Sequence, residues 1–479
     1  MPLARTSGVL PTHYMPGPPA LTALASLATL IELRRDPIGF MVRLQRQYGN
    51  LVALAGTRKR VIAAFGAEHN AALYGVSSRF QSRALFLRGP AESSQRRLST
   101  SMCVLDDPVR PGAELLHPLF GESDLHSQGL SVAHTLETFV CAWRPGETRD
   151  LLVEMRQLSW VIAAKLMLGD GEDHGNRLLL QDVQAWLRMN GSLPVRAFRA
   201  DWPLTPYRRM LTRATRVEQA ILAMVRARIA ANSDRGMSHS APRVSEEQLV
   251  GQAVSAFMGA LEVTAHTISW TLFLLIQHPA AQAAVLDELA FLRSEVPTLE
   301  QVRRLQYLDQ VVKESMRILP AVPISHKIAV ADTELGGYFI PKRSRIWFSH
   351  YVTHHLPELF AEPEVFRPER WDVPGGALSR YAPFGTATGS WVGTALAQYV
   401  VRATLAALLS RWRLTLVPNS RIDRQAVATL FPKYGLPMTV STQDRQFESH
   451  PVRGNINEMV CLGRQSATAV STSAPRRAA

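Results

Sequence analysis

The sequence predicts a mainly α-helical protein carrying small peripheral β-sheets, and three observations support this. Apolar residues recur at three and four positions, the period of one helix face, in 36–49, 245–278, 279–292 and 307–318. Short β-rich runs interrupt these stretches near the start, after residue 327 and near residue 440. No repeat or low-complexity linker divides the chain between about residue 31 and residue 444, so one large domain is expected there.

In chain order, residues 1–30 read as an N-terminal extension. Within and just beyond it, "PALTALASLATLIEL" is too short to span a bilayer, lacks the basic lead-in of a signal peptide, and reads as a surface helix. "LVALAG" and "RVIAAFG" then predict a hairpin. The polar stretch 227–248 predicts a surface loop between two helices rather than a domain boundary. "IAVADTELGGYFIPKRSRIWFS" predicts a second group of strands, and "WRLTLVP" with "PMTVST" a terminal pair. Periodicity fades after about residue 445, and 445–479 ends in a Ser/Ala/Arg-rich run expected to be a disordered tail.

A net charge of +13 invites a nucleic-acid reading, but the arginines are scattered along helices and no basic run interleaves with aromatics. A basic surface that docks an acidic protein or draws in an anionic substrate accounts for the charge better, so no nucleic-acid partner is expected. The three cysteines, Cys103, Cys141 and Cys461, are too few and too irregularly spaced for a disulfide framework or a zinc site. A cytoplasmic protein without stable membrane insertion is expected.

Glu314 and Arg317 form a Glu-x-x-Arg pair one helical turn apart. "FAEPEVFRPERW", containing Arg370, and "YAPFG" follow at a fixed distance. In this order and spacing the chain resembles the cytochrome P-450 superfamily of haem-thiolate monooxygenases over residues 30–443, and most closely its soluble bacterial type. The resemblance implies that Glu314, Arg317 and Arg370 form a buried carboxylate–guanidinium network holding the segment before the haem loop. A planar guanidinium suits that two-pronged role and lysine does not.

The haem loop departs from the family pattern Phe-x-x-Gly-x-Arg-x-Cys-x-Gly. Phe384 and Gly393 match, while Ala387, Gly389 and Trp391 stand where a glycine, an arginine and the cysteine ligand belong. An indole nitrogen offers no lone pair to a metal, so Trp391 marks a degenerate ligand position and a haem-free protein is expected. On the central helix Gly259 and Glu262 fit the family, but Val263 replaces the threonine that assists oxygen activation. A Trp/His-x-x-x-Arg pair before "LLHPLF" is missing, and near "SHKIA" only His326 and Lys327 remain for a haem carboxylate.

Gly259, Glu262, Val263 and His266 share one helical face, which the resemblance turns toward the substrate cavity. Two readings stand there. A desolvated Glu262 with a raised pKa serves as an acid or base beside His266, or Glu262 bonds its own helix turn and His266 packs on a neighbour. His350, His354 and His355 are read as structural. The reading adopted is a haem-independent, non-redox enzyme for a lipophilic, terpenoid-like substrate, of cyclase or isomerase type, with Gly259, Val263 and Trp391 lining the cavity and no metal. Its alternatives are an auxiliary protein activating a pathway partner such as a glycosyltransferase, and an atypical haem monooxygenase.

Overall fold

The computed structural model describes residues 9–18, 31–33, 35–54, 61–74, 79–82, 89–101, 125–168, 174–233, 262–292, 296–372, 380–381, 383 and 393–462. The first long helix, α1 (Pro37–Tyr48), begins where Asp36 accepts a hydrogen bond from the Gly39 amide and Pro37 presets the first turn. It ends at Gly49, whose φ of 87° is open to glycine at little cost.

Thirteen further helices follow among the described residues. Before the central helix come α2 (Ala67–Tyr74), α3 (Ser94–Ser101), α4 (Leu125–Cys141), α5 (Leu151–Leu168), α6 (His174–Gly191), α7 (Leu193–Ala197) and α8 (Pro206–Ser233). Then follow α9 (Thr264–Gln277), α10 (Pro279–Leu289), α11 (Leu299–Arg304), α12 (Gln306–Ile318), α13 (His350–His354) and α14 (Thr394–Arg411). Every residue of α9 is buried, and it packs against α5, α10, α12 and α14. A helix buried on all sides belongs inside a protein, and the main hydrophobic core is built around this one.

The strands are β1 (Leu51–Leu54), β2 (Val61–Ala64), β3 (Phe80–Ser82), β4 (Thr148–Asp150), β5 (Ile324–Ala329), β6 (Thr333–Leu335), β7 (Tyr338–Ile340), β8 (Arg345–Ser349), β9 (Trp412–Leu416), β10 (Arg424–Ala426), β11 (Leu430–Pro432) and β12 (Pro437–Thr442). The largest sheet has the order β1-β2-β8-β5-β3, with β2 and β8 parallel and its other pairs antiparallel, and it covers a second, smaller core. β6 and β7 are joined by Gly336 and Gly337, at φ 54° and 80°, the positive pair that a two-residue hairpin loop demands. The three expected strand groups are thus all present, in a mainly α-helical protein.

Three boundaries differ from the sequence reading. Residues inside the expected N-terminal extension belong to the domain, because Leu10 bridges to Tyr338 and Met15 is buried in the smaller core. Helix α8 runs on to Ser233, into the stretch read as loop, while 234–248 lies outside the described residues. The expected tail is ordered over residues 445–462, and 463–479 lies outside the described residues. Ile456, Met459 and Val460 recur at helix spacing and enter the main core, and Asn455 accepts from the Arg424 amide while its own amide bonds Asp423. No described helix is long and apolar enough to cross a membrane.

Candidate functional site

The Glu-x-x-Arg pair lies on α12, and its two residues are wholly buried. Arg317 grips Glu314 with two parallel hydrogen bonds, Nε to Oε2 at 2.9 Å and Nη2 to Oε1 at 2.8 Å. Glu314 Oε1 also accepts from Arg370 Nε at 2.8 Å and the Arg367 amide at 3.1 Å, and Oε2 from Trp371 Nε1 at 3.0 Å. Arg317 Nη1 reaches the carbonyls of His354 and Pro363, and Arg370 Nη1 that of Ala361. One carboxylate therefore joins α12 to α13 and to the irregular segment 361–371. Burial works to raise the Glu314 pKa, but the charges of Arg317 and Arg370 and the donated hydrogen bonds outweigh it and hold the carboxyl ionised. The structure brings Glu314, Arg317 and Arg370 together; Trp371 and Arg367 complete a network in which the sequence reading gave them no part.

Glu262 and Val263 form a π-type turn at the start of α9, with Val263 as its N-cap. Glu262 turns toward α5, where Arg156 Nε and Nη2 donate to its Oε2 at 3.1 and 3.0 Å. His266, fully buried one turn on, places Nε2 3.1 Å from Glu262 Oε2 and 3.0 Å from Arg156 Nη2. Phe431 of β11 closes the group, its ring 5.3 Å from the His266 ring and 5.4 Å from the Arg156 guanidinium. The hairpin that carries it is fixed by Trp270 Nε1 donating to the Leu430 carbonyl and the Leu430 amide donating to Ala321.

This arrangement corrects the expected chemistry of Glu262. Burial alone raises its pKa, but the hydrogen bond and charge of His266, and those of Arg156, reverse the sign and leave it below the ordinary carboxylate value. Burial also lowers His266, more than Glu262 raises it. Glu262 is therefore a carboxylate clamped by Arg156 and His266, which removes the basis for it as a general acid. Arg156, 106 positions from Glu262, carried no signal in the sequence. We expect Arg156→Leu and Glu262→Gln each to lower stability in urea unfolding, with the double variant less destabilised than the sum by about 1 kcal/mol. Strict additivity would show that the clamp contributes nothing.

Gly259 and Trp391 lie outside the described residues, as do Cys103 and the run 115–120. Of the remaining cysteines, Cys141 is exposed at the end of α4, and the Cys461 amide bonds the Glu364 carbonyl. His350 Nε2 lies 3.0 Å from the Tyr74 hydroxyl, and the His355 ring stacks at 3.9 Å on Tyr351, so two of the three histidines serve packing. For haem, the residues fit in one place and not in another. Lys327 on β5, only 4% exposed with its ammonium 5.0 Å from the centre of the Tyr74 ring, is a buried cation suited to a carboxylate. The stretch 382–397 contains no cysteine to supply a thiolate.

Comparison with known proteins gives the family to which this fold and the Glu314 network belong. The family profile for cytochrome P450 matches residues 207–436, and the chain belongs to the cytochrome P-450 superfamily. It is 29% identical over 357 residues to the cyclooctat-9-en-7-ol 5-monooxygenase of Streptomyces melanosporofaciens, spanning 70% of this chain and 77% of that protein. It is 27% identical over 323 residues to the cytokinin hydroxylase of Arabidopsis thaliana, spanning 62% of each. The crystal structure of a cytochrome P-450DA heme domain superposes with a TM-score of 0.73 at 20% identity, covering 92% of this chain and 99% of that one, a likeness of fold alone. The expectation of a haem-free protein is corrected by these findings: the relatives and neighbours belong to a haem-binding family, and nothing among the described residues shows that the site for the group has been lost.

Proposed function

We propose that this cytochrome P-450 family protein acts in terpenoid metabolism on a lipophilic, terpenoid-class small molecule held in the interior of the fold. The observation that carries this reading is the similarity to the cyclooctat-9-en-7-ol 5-monooxygenase, which runs through 77% of that relative. A second, shorter match, 31% over 186 residues, is to the cyclooctatin synthase of the same Streptomyces, though it spans only 40% of that protein. The wholly buried central helix and the apolar hairpin fastened to it suit a substrate recognised mainly by shape and apolar surface.

The reading concerns substrate class. We infer that Trp391 occupies the position of the family's cysteine; an indole nitrogen has no lone pair for iron, which separates this chain from its relatives' thiolate chemistry. The test uses full-length protein produced with haem precursor supplied, titrated with a cyclic diterpene alcohol while tryptophan fluorescence and thermal melting are followed. Saturable quenching with a raised melting temperature is expected. Equal or stronger binding of a straight-chain fatty acid or an aromatic acid would overturn the substrate class, whatever haem the visible spectrum shows.

A further inference from the structure

We propose that residues 453–461, beyond the stretch the family profile matches, are a clasp that seats the hairpin β10–β11 over His266 and ties its base to the segment 361–371. At its first end the clasp meets the chain just ahead of β10. Arg421 and Arg453 form a parallel bridge, the Ile422 amide donates to the Arg453 carbonyl at 2.7 Å, and the Ile456 amide donates to the Ile422 carbonyl at 3.3 Å. Two further bonds cross in opposite senses, from the Asn455 amide to Asp423 Oδ1 at 2.9 Å and from the Arg424 amide to Asn455 Oδ1 at 2.6 Å. Gly454 makes this approach possible. At its φ of 117°, a β-carbon would lie 2.3 Å from the Ile422 carbonyl oxygen. So close a fit is a docked contact between two backbones.

The contact governs the hairpin because it falls on the hairpin's base. Arg424 opens β10 and pairs with Pro432 of β11, and just beyond them the Asp423 carbonyl accepts from the Lys433 amide at 2.7 Å. The Arg424 side chain, itself buried, grips Asp36 ahead of α1 at 2.6 Å and Glu458 of the clasp at 3.0 Å with one guanidinium. Phe431, the neighbour of Pro432 on β11, lies against His266 and Arg156. A shift at the base therefore moves the ring that closes the Glu262 group.

The other end of the clasp reaches the Glu314 network from outside. Arg317 holds the carbonyls of Pro363 and Val365 at 2.8 and 3.4 Å, and the carbonyl between them, that of Glu364, accepts from the Cys461 amide at 2.8 Å. Between the two ends Ile456, Met459 and Val460 are buried in the main core, so the clasp is a braced link and not a slack tether. Packed and bonded at both ends, it makes the hairpin and the segment 361–371 move together: whatever displaces Phe431 is felt at 361–371, and the reverse.

The test is hydrogen exchange followed by mass spectrometry on the full chain, read at the amides of 424–433, at those of 361–371 and, for reference, in α4 and α5. Asn455→Ala removes the acceptor of the Arg424 amide, and exchange at 424–433 is expected to quicken roughly fivefold, the equivalent of one net hydrogen bond. Asn455→Asp keeps the acceptor and should restore wild-type exchange. Cys461→Pro removes the donor to Glu364. Each of Asn455→Ala and Cys461→Pro should quicken both 424–433 and 361–371 while α4 and α5 stay unchanged. Quickening confined to the end that carries the substitution would overturn the clasp by showing two separate attachments. Equal quickening in α4 and α5, Asn455→Asp exchanging like Asn455→Ala, or an unchanged hairpin in both variants would overturn it as well.

Discussion

Arg317→Ala is expected to remove most of the soluble, folded protein. The substitution takes two hydrogen bonds and the principal counter-charge from a carboxylate that has no access to water, and it also frees the His354 and Pro363 carbonyls that Arg317 holds at 2.9 and 2.8 Å. Removing one partner of a buried ion pair costs about 3 to 5 kcal/mol, a large share of the stability of an ordinary domain. Arg370 and Trp371 still reach Glu314, and the residual protein should recover in part when Glu314→Gln is added, because the buried carboxylate that has lost its principal partner is then neutral. Arg317→Lys should fall between, since an ammonium cannot grip both carboxylate oxygens and two carbonyls in one plane. Soluble yield and the urea midpoint measure all three. A wild-type midpoint for Arg317→Ala would show that the network is not what joins α12 to the segment 361–371.

The reason this network could be read from the sequence, while the clamp on Glu262 could not, lies in chain distance. Glu314 and Arg317 are three positions apart on one helix, and "FRPERW" places Arg370 at a fixed remove, so local periodicity and spacing carry the information. The strand pairs β1–β2 and β9–β12 were legible for a related reason, since alternation and turn residues are local signals. Glu262, by contrast, takes its electrostatic environment from Arg156 on α5, with Phe431 closing the group from β11, and no local pattern brings these together. The expectation of a raised carboxyl pKa was the natural consequence of burial; the hydrogen bond and charge of His266, joined by those of Arg156, reverse the sign. The ordered stretch 445–462 was missed because only three of its apolar residues, Ile456, Met459 and Val460, are fully buried, and their burial depends on a core supplied by the rest of the chain. The short hairpin β10–β11 was missed for the same reason: its three-residue strands are fixed by bonds to Trp270 and Ala321 rather than by their own sequence.

A second large effect is expected from acid. His350 is buried on α13 against the Tyr74 hydroxyl, with Ser325 Oγ at 3.4 Å, and burial pushes its pKa from the ordinary 6.5 down to about 4. His354 is also buried and lies well below its ordinary value, through burial first and then the charges of His350, Arg317 and His355. His355 is lowered to about 3 by burial and Arg317, although part of its surface reaches solvent. The charge of Arg317 bears on both His354 and His355, and that of Arg370 on His355, and these oppose protonation further. Above pH 6.5 the histidines are neutral in both the folded and unfolded chain and stability does not depend on them. As pH falls below 6.5 the unfolded chain takes up protons that the folded one refuses, and stability is lost down to the folded values near 4 and 3. For His350 alone the shift corresponds to about 3 kcal/mol at its lower limit. His350→Gln keeps a hydrogen-bonding group beside Tyr74 without a titrating ring, and should flatten the decline between pH 6.5 and 4 by about that amount. Urea midpoints taken across this range for both proteins provide the measurement, and parallel declines would show that His350 does not titrate on unfolding.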